Sequence, residues 1–234
     1  MNIKNKINNL IRTHANLIIN SQLDLQIQLS KRATEQTLDY IEAKMPNALV
    51  FPSNEQLMDF SLSKIKPSGS ILEFGVYRGR TLRHIAKKLK NRICYGFDSF
   101  KGLPEDWSGM DSPKGYFDLQ SEIPTDLPNN VKLQIGWFNE SIPKFLETNH
   151  ENIALLHIDS DLYSSAKTIF DLLYNRITEG TIIQFDEYFN YPTWQKHECK
   201  AFQEFVQKYN IEYEYLGFSS KYAVSINIKK IELV

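Results

Sequence analysis

Cysteine is scarce: the 234 residues include only Cys94 and Cys199. That excludes a disulfide framework and any zinc site of paired cysteines, and it suits a reducing compartment. Cys94 sits inside an apolar, strand-like run and reads as a small buried hydrophobe. No apolar run approaches the ~20 residues of a membrane-spanning helix. Neither sign of charge is in surplus; 27 basic and 28 acidic side chains leave a net −1, whereas nucleic-acid binders carry a basic excess or stripe. The short runs Lys87-Lys88-Leu89-Lys90 and Lys229-Lys230 lack interleaved aromatics and read as solvated helix and strand ends. Residues 1–10 hold no continuous apolar stretch of the signal-peptide kind. A cytoplasmic protein with no nucleic-acid and no membrane partner is expected.

With 42% hydrophobic and 24% charged residues, the composition is that of a globular protein, and the length fits one α/β domain with an appendage. Residues 1–49 read as a helical arm: Ile3, Ile7, Leu10, Ile11, Leu17 and Ile18 recur at helical spacing, and a second helix is expected over about 30–44, ahead of Pro46. The arm has three readings: a cap on the domain, a wall of the substrate mouth, or a contact between copies in a homo-oligomer.

From residue 50 to 234 the period changes. Apolar runs at 70–75, 92–98, 131–135, 153–159, 180–186, 212–216 and 222–228 alternate for most of the length with helical patterns at 81–89, 164–176 and 196–209. Strands alternating with helices make βαβ units, and the early runs lack polar alternation, as strands covered on both faces do. The expected fold is a doubly wound, mostly parallel, seven-stranded Rossmann-like sheet. Residues 100–130 are rich in Pro, Gly, Ser and Asp, and a loop of that length often marks a lid.

Ligands of open α/β sheets bind beyond the carboxyl ends of strands. After the first parallel strand stands Glu73-Phe-Gly75-Val-Tyr77-Arg-Gly79-Arg80. Tyr77 and Arg80 occupy the second and third glycine positions of a dinucleotide fingerprint, so the turn is poorly made for NAD or FAD. It still brings bare backbone close to a neighbour at Gly75 and Gly79. Asp98 follows Gly75 by 23 residues at the next strand end, where an acid accepts ribose hydroxyls or caps a turn. The pair suggests an adenosine ligand without a pyrophosphate, and Glu73 suits a cationic sulfonium.

These residues, with Gly96-Phe-Asp98-Ser99-Phe-Lys-Gly-Leu-Pro104 and Gly136-Trp137-Phe-Asn-Glu-Ser-Ile-Pro143, resemble the class I S-adenosylmethionine-dependent methyltransferases, and within them the macrocin O-methyltransferase group, which acts on sugars of natural products. The resemblance runs over about 52–205. It implies S-adenosyl-L-methionine as cofactor, with contacts at Glu73, Gly75, Gly79, Asp98, Ser99, Trp137 and Asp159.

The next two strand ends carry His157-Ile-Asp159-Ser-Asp161-Leu162-Tyr163 and Asp186-Glu187-Tyr188. In this topology they adjoin and gather four carboxylates, whose repulsion calls for compensation. A divalent cation with hard oxygen ligands, Mg²⁺ first, supplies it. The alternative is capping: Asp161 or Ser164 at the following helix, Asp186 at a turn. The resemblance implies Asp159, Asp186 and Glu187 as metal ligands, although the longer Glu187 stands where Asp or Asn is usual. The lysine of catechol-type enzymes has no counterpart, because Leu162 stands in its place. Sugar-type enzymes use the second acid of Asp-x-Asp as base, which implies Asp161.

His157 and His197 are rival bases, with His157 reading better as a core histidine. Trp137 and Tyr188, just past strand ends, are the better candidates for an aromatic platform, and Lys196 and Glu198 at the start of the last helix are weaker candidates for substrate contact. The implied reaction is methylation of a hydroxyl on a sugar or other small molecule. Two other readings stay open: nitrogen methylation of nucleic acid or protein, which lacks its usual Asn/Asp-Pro-Pro-aromatic loop here, and a non-catalytic cofactor-binding accessory protein.

Overall fold

A computed structural model describes residues 6–7, 23–120 and 122–232. The expected helix over the first 20 residues lies outside the described residues, apart from 6–7. Helix α1 (Leu25–Lys44) starts where the Asp24 carboxylate accepts the Gln26 and Ile27 N–H groups. Strand β1 (Leu49–Phe51) and helix α2 (Asn54–Lys64) follow. Ser53 caps α2 by accepting the Gln56 N–H.

The remaining elements are β2 (Ser70–Phe74), α3 (Arg80–Lys88), β3 (Cys94–Asp98), β4 (Val131–Ile135), α4 (Phe138–Thr148), β5 (Ile153–Ile158), α5 (Tyr163–Leu173), β6 (Ile182–Phe185), α6 (Glu198–Lys208), β7 (Glu212–Ser219) and β8 (Val224–Lys230). They form one sheet ordered β1-β7-β8-β6-β5-β2-β3-β4. Only β8 runs against its neighbours β6 and β7. This is the expected doubly wound, mostly parallel architecture, with one correction: among the described residues the sheet has eight strands rather than seven. The extra strand, β1, adds to the β7 edge in parallel. Its three residues are largely exposed, so no apolar pattern announces it.

Strands β2, β5 and β6 are buried along their whole length, which explains their unbroken apolar runs. The order reverses between β2 and β5, which pair in parallel. That reversal is the topological switch point, where a crevice opens beyond the strand ends. Register sets Glu73 beside His157 and His157 beside Gln184. The residues after Phe74, Ile158 and Phe185 therefore emerge side by side.

Helix α1 packs on this domain by a few anchors. Ala33 and Met45 join the main core. Thr37 Oγ1 accepts the Asn190 N–H at 2.9 Å, and the Tyr40 hydroxyl lies 2.6 Å from that of Tyr215 and 3.2 Å from that of Tyr188. Among the described residues, no helix is long and apolar enough to cross a membrane.

Candidate active site

The glycine turn after β2 closes the base of the crevice. Gly75 has φ +93°, and a Cβ there would fall on the Asp159 carbonyl group, 2.7 Å from its carbon. The Gly75 N–H donates to Phe97 O, and the Asp159 N–H to Phe74 O at 2.8 Å. The bare backbone thus serves strand-end packing. Gly79, at φ +73° ahead of α3, leaves room for the Leu127 side chain, which a Cβ would meet at 2.8 Å.

Asp98 knits this turn to the next strand. Its Oδ2 accepts the Val76 and Tyr77 N–H groups at 2.8 and 2.7 Å, and its Oδ1 accepts the Phe100 N–H at 2.7 Å. The capping function expected of a strand-end acid is present, and Asp98 also faces the crevice.

A cavity of about 700 Å³ fills that crevice. Of the residues singled out from sequence, Gly75, Asp98, Ser99, Trp137, Asp159, Asp161 and Glu187 line it. Glu73, Gly79 and Asp186 are not among its lining residues. Tyr188 is fully buried, its hydroxyl among those of Tyr40, Tyr215 and the Gln203 amide, so the expected platform role gives way to a core polar network. Additional walls come from Tyr77, Trp107, Lys114 and Phe117. Tyr77 and Phe117 meet edge-on, with centroids 5.3 Å apart.

The residues of 100–120 hold themselves in place. Leu103 and Gly115 N–H groups donate to Tyr116 and Leu103 carbonyls, and Trp107 N–H to Ser112 O. Thr193 Oγ1 donates to Ser108 O at 2.5 Å, and His197 Nε2 lies 3.1 Å from the same oxygen. His197 is thereby tied to the 100–120 segment and is not among the residues that line the cavity.

The acids fall into two overlapping groups, each with ligand atoms within 4.8 Å of one another: Asp159, Asp161 and Glu187, and His157, Asp159 and Asp186. Asp159 belongs to both. The sequence-derived trio of Asp159, Asp186 and Glu187 spans the two groups through Asp159, and Asp186 also accepts the Asn54 amide at 2.8 Å. Neither Asp161 nor Ser164 caps α5, which has no side-chain cap. The capping alternative therefore does not account for Asp161.

His157 is fully buried, with Nδ1 3.5 Å from Glu73 Oε2 and Nε2 3.9 Å from Asp186 Oδ1. Burial opposes its charge, but Asp186 and Glu73 prevail and raise its pKa to about 10. It is a core histidine flanked by two acids that favour its charged form. Burial opposes the Asp186 charge as well, yet His157 and Asn54 hold that carboxyl below its ordinary range. Burial, then the Asp186 charge, pushes Asp159 and Glu187 well above theirs, and Asp161 to about 7.

Glu187 Oε2 is buried with no hydrogen-bond partner. The crowding of carboxyls, the orphaned oxygen and the oxygen-rich donor set fit a hard divalent cation, beside which the acids could ionise together. Glu198, a weaker sequence candidate, lies behind the cluster and does not line the cavity; its Oε1 accepts the Ser160 and Asp161 N–H groups, both at 3.1 Å.

Known proteins resemble this chain in sequence and in fold. The Macrocin-O-methyltransferase (TylF) family model matches residues 57–216. Demethyldecarbamoylnovobiocin O-methyltransferase of Streptomyces niveus is 27% identical over 165 residues, 61% of this chain and 60% of that protein. The calicheamicin methyltransferase CalS11 superposes with a TM-score of 0.58 at 22% identity, covering 86% of this chain and 91% of that one. The O-methyltransferase NovP gives 0.57 at 20% identity, covering 75% and 80%. The two structural likenesses establish the shared fold.

Proposed function

The chain belongs to the Macrocin-O-methyltransferase family, and from that premise we propose that it is an S-adenosylmethionine-dependent O-methyltransferase assisted by a divalent cation, Mg²⁺ first. Its substrate is a hydroxyl of a sugar or similar small molecule. The observation that carries this reading is one cavity that joins the Gly75–Asp98 turn to Asp159, Asp161 and Glu187. The turn proposed to take adenosine and the acidic cluster therefore line one cavity. The named activities of the Streptomyces niveus protein and of CalS11 and NovP support the reaction class.

When bound, S-adenosylmethionine supplies an electrophilic methyl group and the cation supplies Lewis acidity that lowers a hydroxyl's pKa. The chain's residues supply position and proton transfer. Asp98 Oδ1 carries one N–H bond and has acceptor capacity left for a ribose hydroxyl. Ser99 and Trp137 line the same cavity and complete the cofactor wall. Asp159, Asp186 and Glu187 would hold the cation, with Asp159 central because it belongs to both close groups. Asn54 and His157 fix Asp186 from behind. Asp161 accepts the hydroxyl proton at a carboxylate oxygen, a base function typically worth about 10²–10⁴-fold. The aromatic walls at Tyr77, Trp107, Phe117 and Trp137 keep bulk water from the reacting atoms.

The test is release of S-adenosylhomocysteine over a panel of sugar, sugar-nucleotide and glycosylated acceptors, with and without EDTA. Turnover that EDTA abolishes and Mg²⁺ restores is expected, with Asp161→Asn lowering kcat by about 10²-fold or more at unchanged cofactor affinity. Turnover indifferent to EDTA would remove the cation from the reading, and an undiminished Asp161→Asn variant would remove the base.

A further inference from the structure

Asp161 combines a place on the cavity wall with an unusual backbone. It has φ +63°, in the left-handed region that crowds any residue with a Cβ. Such a conformation persists only when its surroundings over-determine it. The Leu162 N–H bonds to Ser160 O at 2.6 Å, which tightens the turn but does not hold it from outside.

The outside hold is Glu198. Its side chain is fully buried, and its Oε1 accepts the N–H groups of both Ser160 and Asp161 at 3.1 Å, with the Ser160 hydroxyl at 3.5 Å. Glu198 opens α6, whose own N-terminus has no side-chain cap. An acid in a first helical turn ordinarily serves its own helix. Here the carboxylate is given to a loop 37 residues away in sequence. Two adjacent N–H groups converging on one buried oxygen fix the orientation of the peptide between them, because each unbonded buried donor would carry a desolvation cost.

We propose that Glu198 is a positioning residue for the reaction: by holding the Ser160 and Asp161 N–H groups it fixes Asp161 in its left-handed conformation, facing the cavity. The proposal rests on the reading of Asp161 as base. Only an acceptor oxygen is required, so an amide serves as well as a carboxylate. Glu198 is thereby given a hydrogen-bonding role apart from cation ligation, although its other oxygen, Oε2, is buried without a hydrogen-bond partner.

Three variants test it. Glu198→Gln keeps the acceptor, Glu198→Met keeps the volume without it, and Glu198→Asp draws it back by one methylene. Crystal structures of the variants, cofactor titration by calorimetry and S-adenosylhomocysteine release are compared with the native chain. In Glu198→Met, residue 161 is expected to leave the left-handed region and kcat to fall by about 10²-fold, the scale of a misplaced catalytic group. S-adenosylmethionine affinity should stay within about threefold. Glu198→Gln should restore both conformation and kcat, which a requirement for negative charge would forbid. In an Asp161→Asn background, Glu198→Met should cost nothing further, because the positioned group is already gone. If Glu198→Met does not fold, Glu198→Asp carries the same comparisons.

Asp161 retaining its conformation in Glu198→Met, or in Glu198→Asp where that variant stands in, would overturn the proposal. So would a full loss of kcat that persists in the Asp161→Asn background. A native chain that fails to bind S-adenosylmethionine would overturn the proposed function instead, and the crystal structures would still decide whether Glu198 holds the loop.

Discussion

The carbonyl group of Asp159 occupies the space where Gly75 would carry a side chain. The end of β2 and the end of β5 touch there backbone to backbone, at φ +93° for Gly75. Gly75→Ala therefore meets two penalties. The left-handed backbone costs about 1–2 kcal/mol, and overpacking about 1–3 kcal/mol. Each kcal/mol lowers Tm by about 2–4 °C for a chain of this size. A thermal melt is expected to show a drop of several degrees or more, with S-adenosylmethionine affinity falling as the Asp159 backbone shifts. An unchanged melt would mean that the two strand ends are not in contact.

Both cysteines are expected to be silent toward thiol reagents in the native protein. Burial pushes the Cys94 and Cys199 thiols up to about 12 each. The thiolate, which is the reactive form, is then present at about 10⁻⁴ of either thiol at pH 8. A chromogenic disulfide reagent should release no colour from the folded chain and the equivalent of 2 thiols after unfolding. Rapid native labelling would contradict the packing of β3 or α6.

Acidification should weaken the tie between the 100–120 segment and the chain before α6. His197 lies among Ser108, Thr193, Trp107 and Tyr191. Burial lowers its pKa below the ordinary 6.5, against the opposing pull of the Ser108 carbonyl and Glu105 and with a smaller push from Lys196. As pH falls through about 6.5, the unfolded chain takes up a proton that the native state still refuses. The His197 contribution is thus complete above that value and declines toward the lower folded one. Urea unfolding at pH values between about 5 and 8 should show native and His197→Gln stabilities a fixed distance apart near neutrality and converging on acidification. Divergence on acidification would contradict the buried neutral ring.

Much of this was legible in the residues, and the gaps have physical causes. Strands buried on both faces announce themselves by unbroken apolar runs, as at 153–158, and the acids at their ends follow from topology. Helix α2 escapes because Ser61, bonded to Gln184 and Ser225, puts a polar residue on the buried face and breaks the apolar period. Helix α4 escapes because Pro143 lies inside it, where a sequence reading ends a helix. Strand β1 is too short and exposed to show a pattern. At the site, the convergence of Asp159, Asp161 and Glu187 could be anticipated. The hydrogen bond from Asn54 to Asp186 could not, since Asn54 lies 132 residues away on a helix the pattern hides. Trp107 and Phe117 were marked only by their place in a long loop, and the reach of Glu198 leaves no local signal.

The crevice between the Gly75 turn and the carboxylates is the proposed methyl-donor site. Calorimetric titration of the purified chain with S-adenosylmethionine tests it most directly. One-to-one saturable binding is expected, weakened about tenfold or more in Asp98→Ala, which removes the acceptor proposed for a ribose hydroxyl, a hydrogen bond to a charged group worth about 1.5–3 kcal/mol. The absence of saturable binding by the folded native chain would contradict the account.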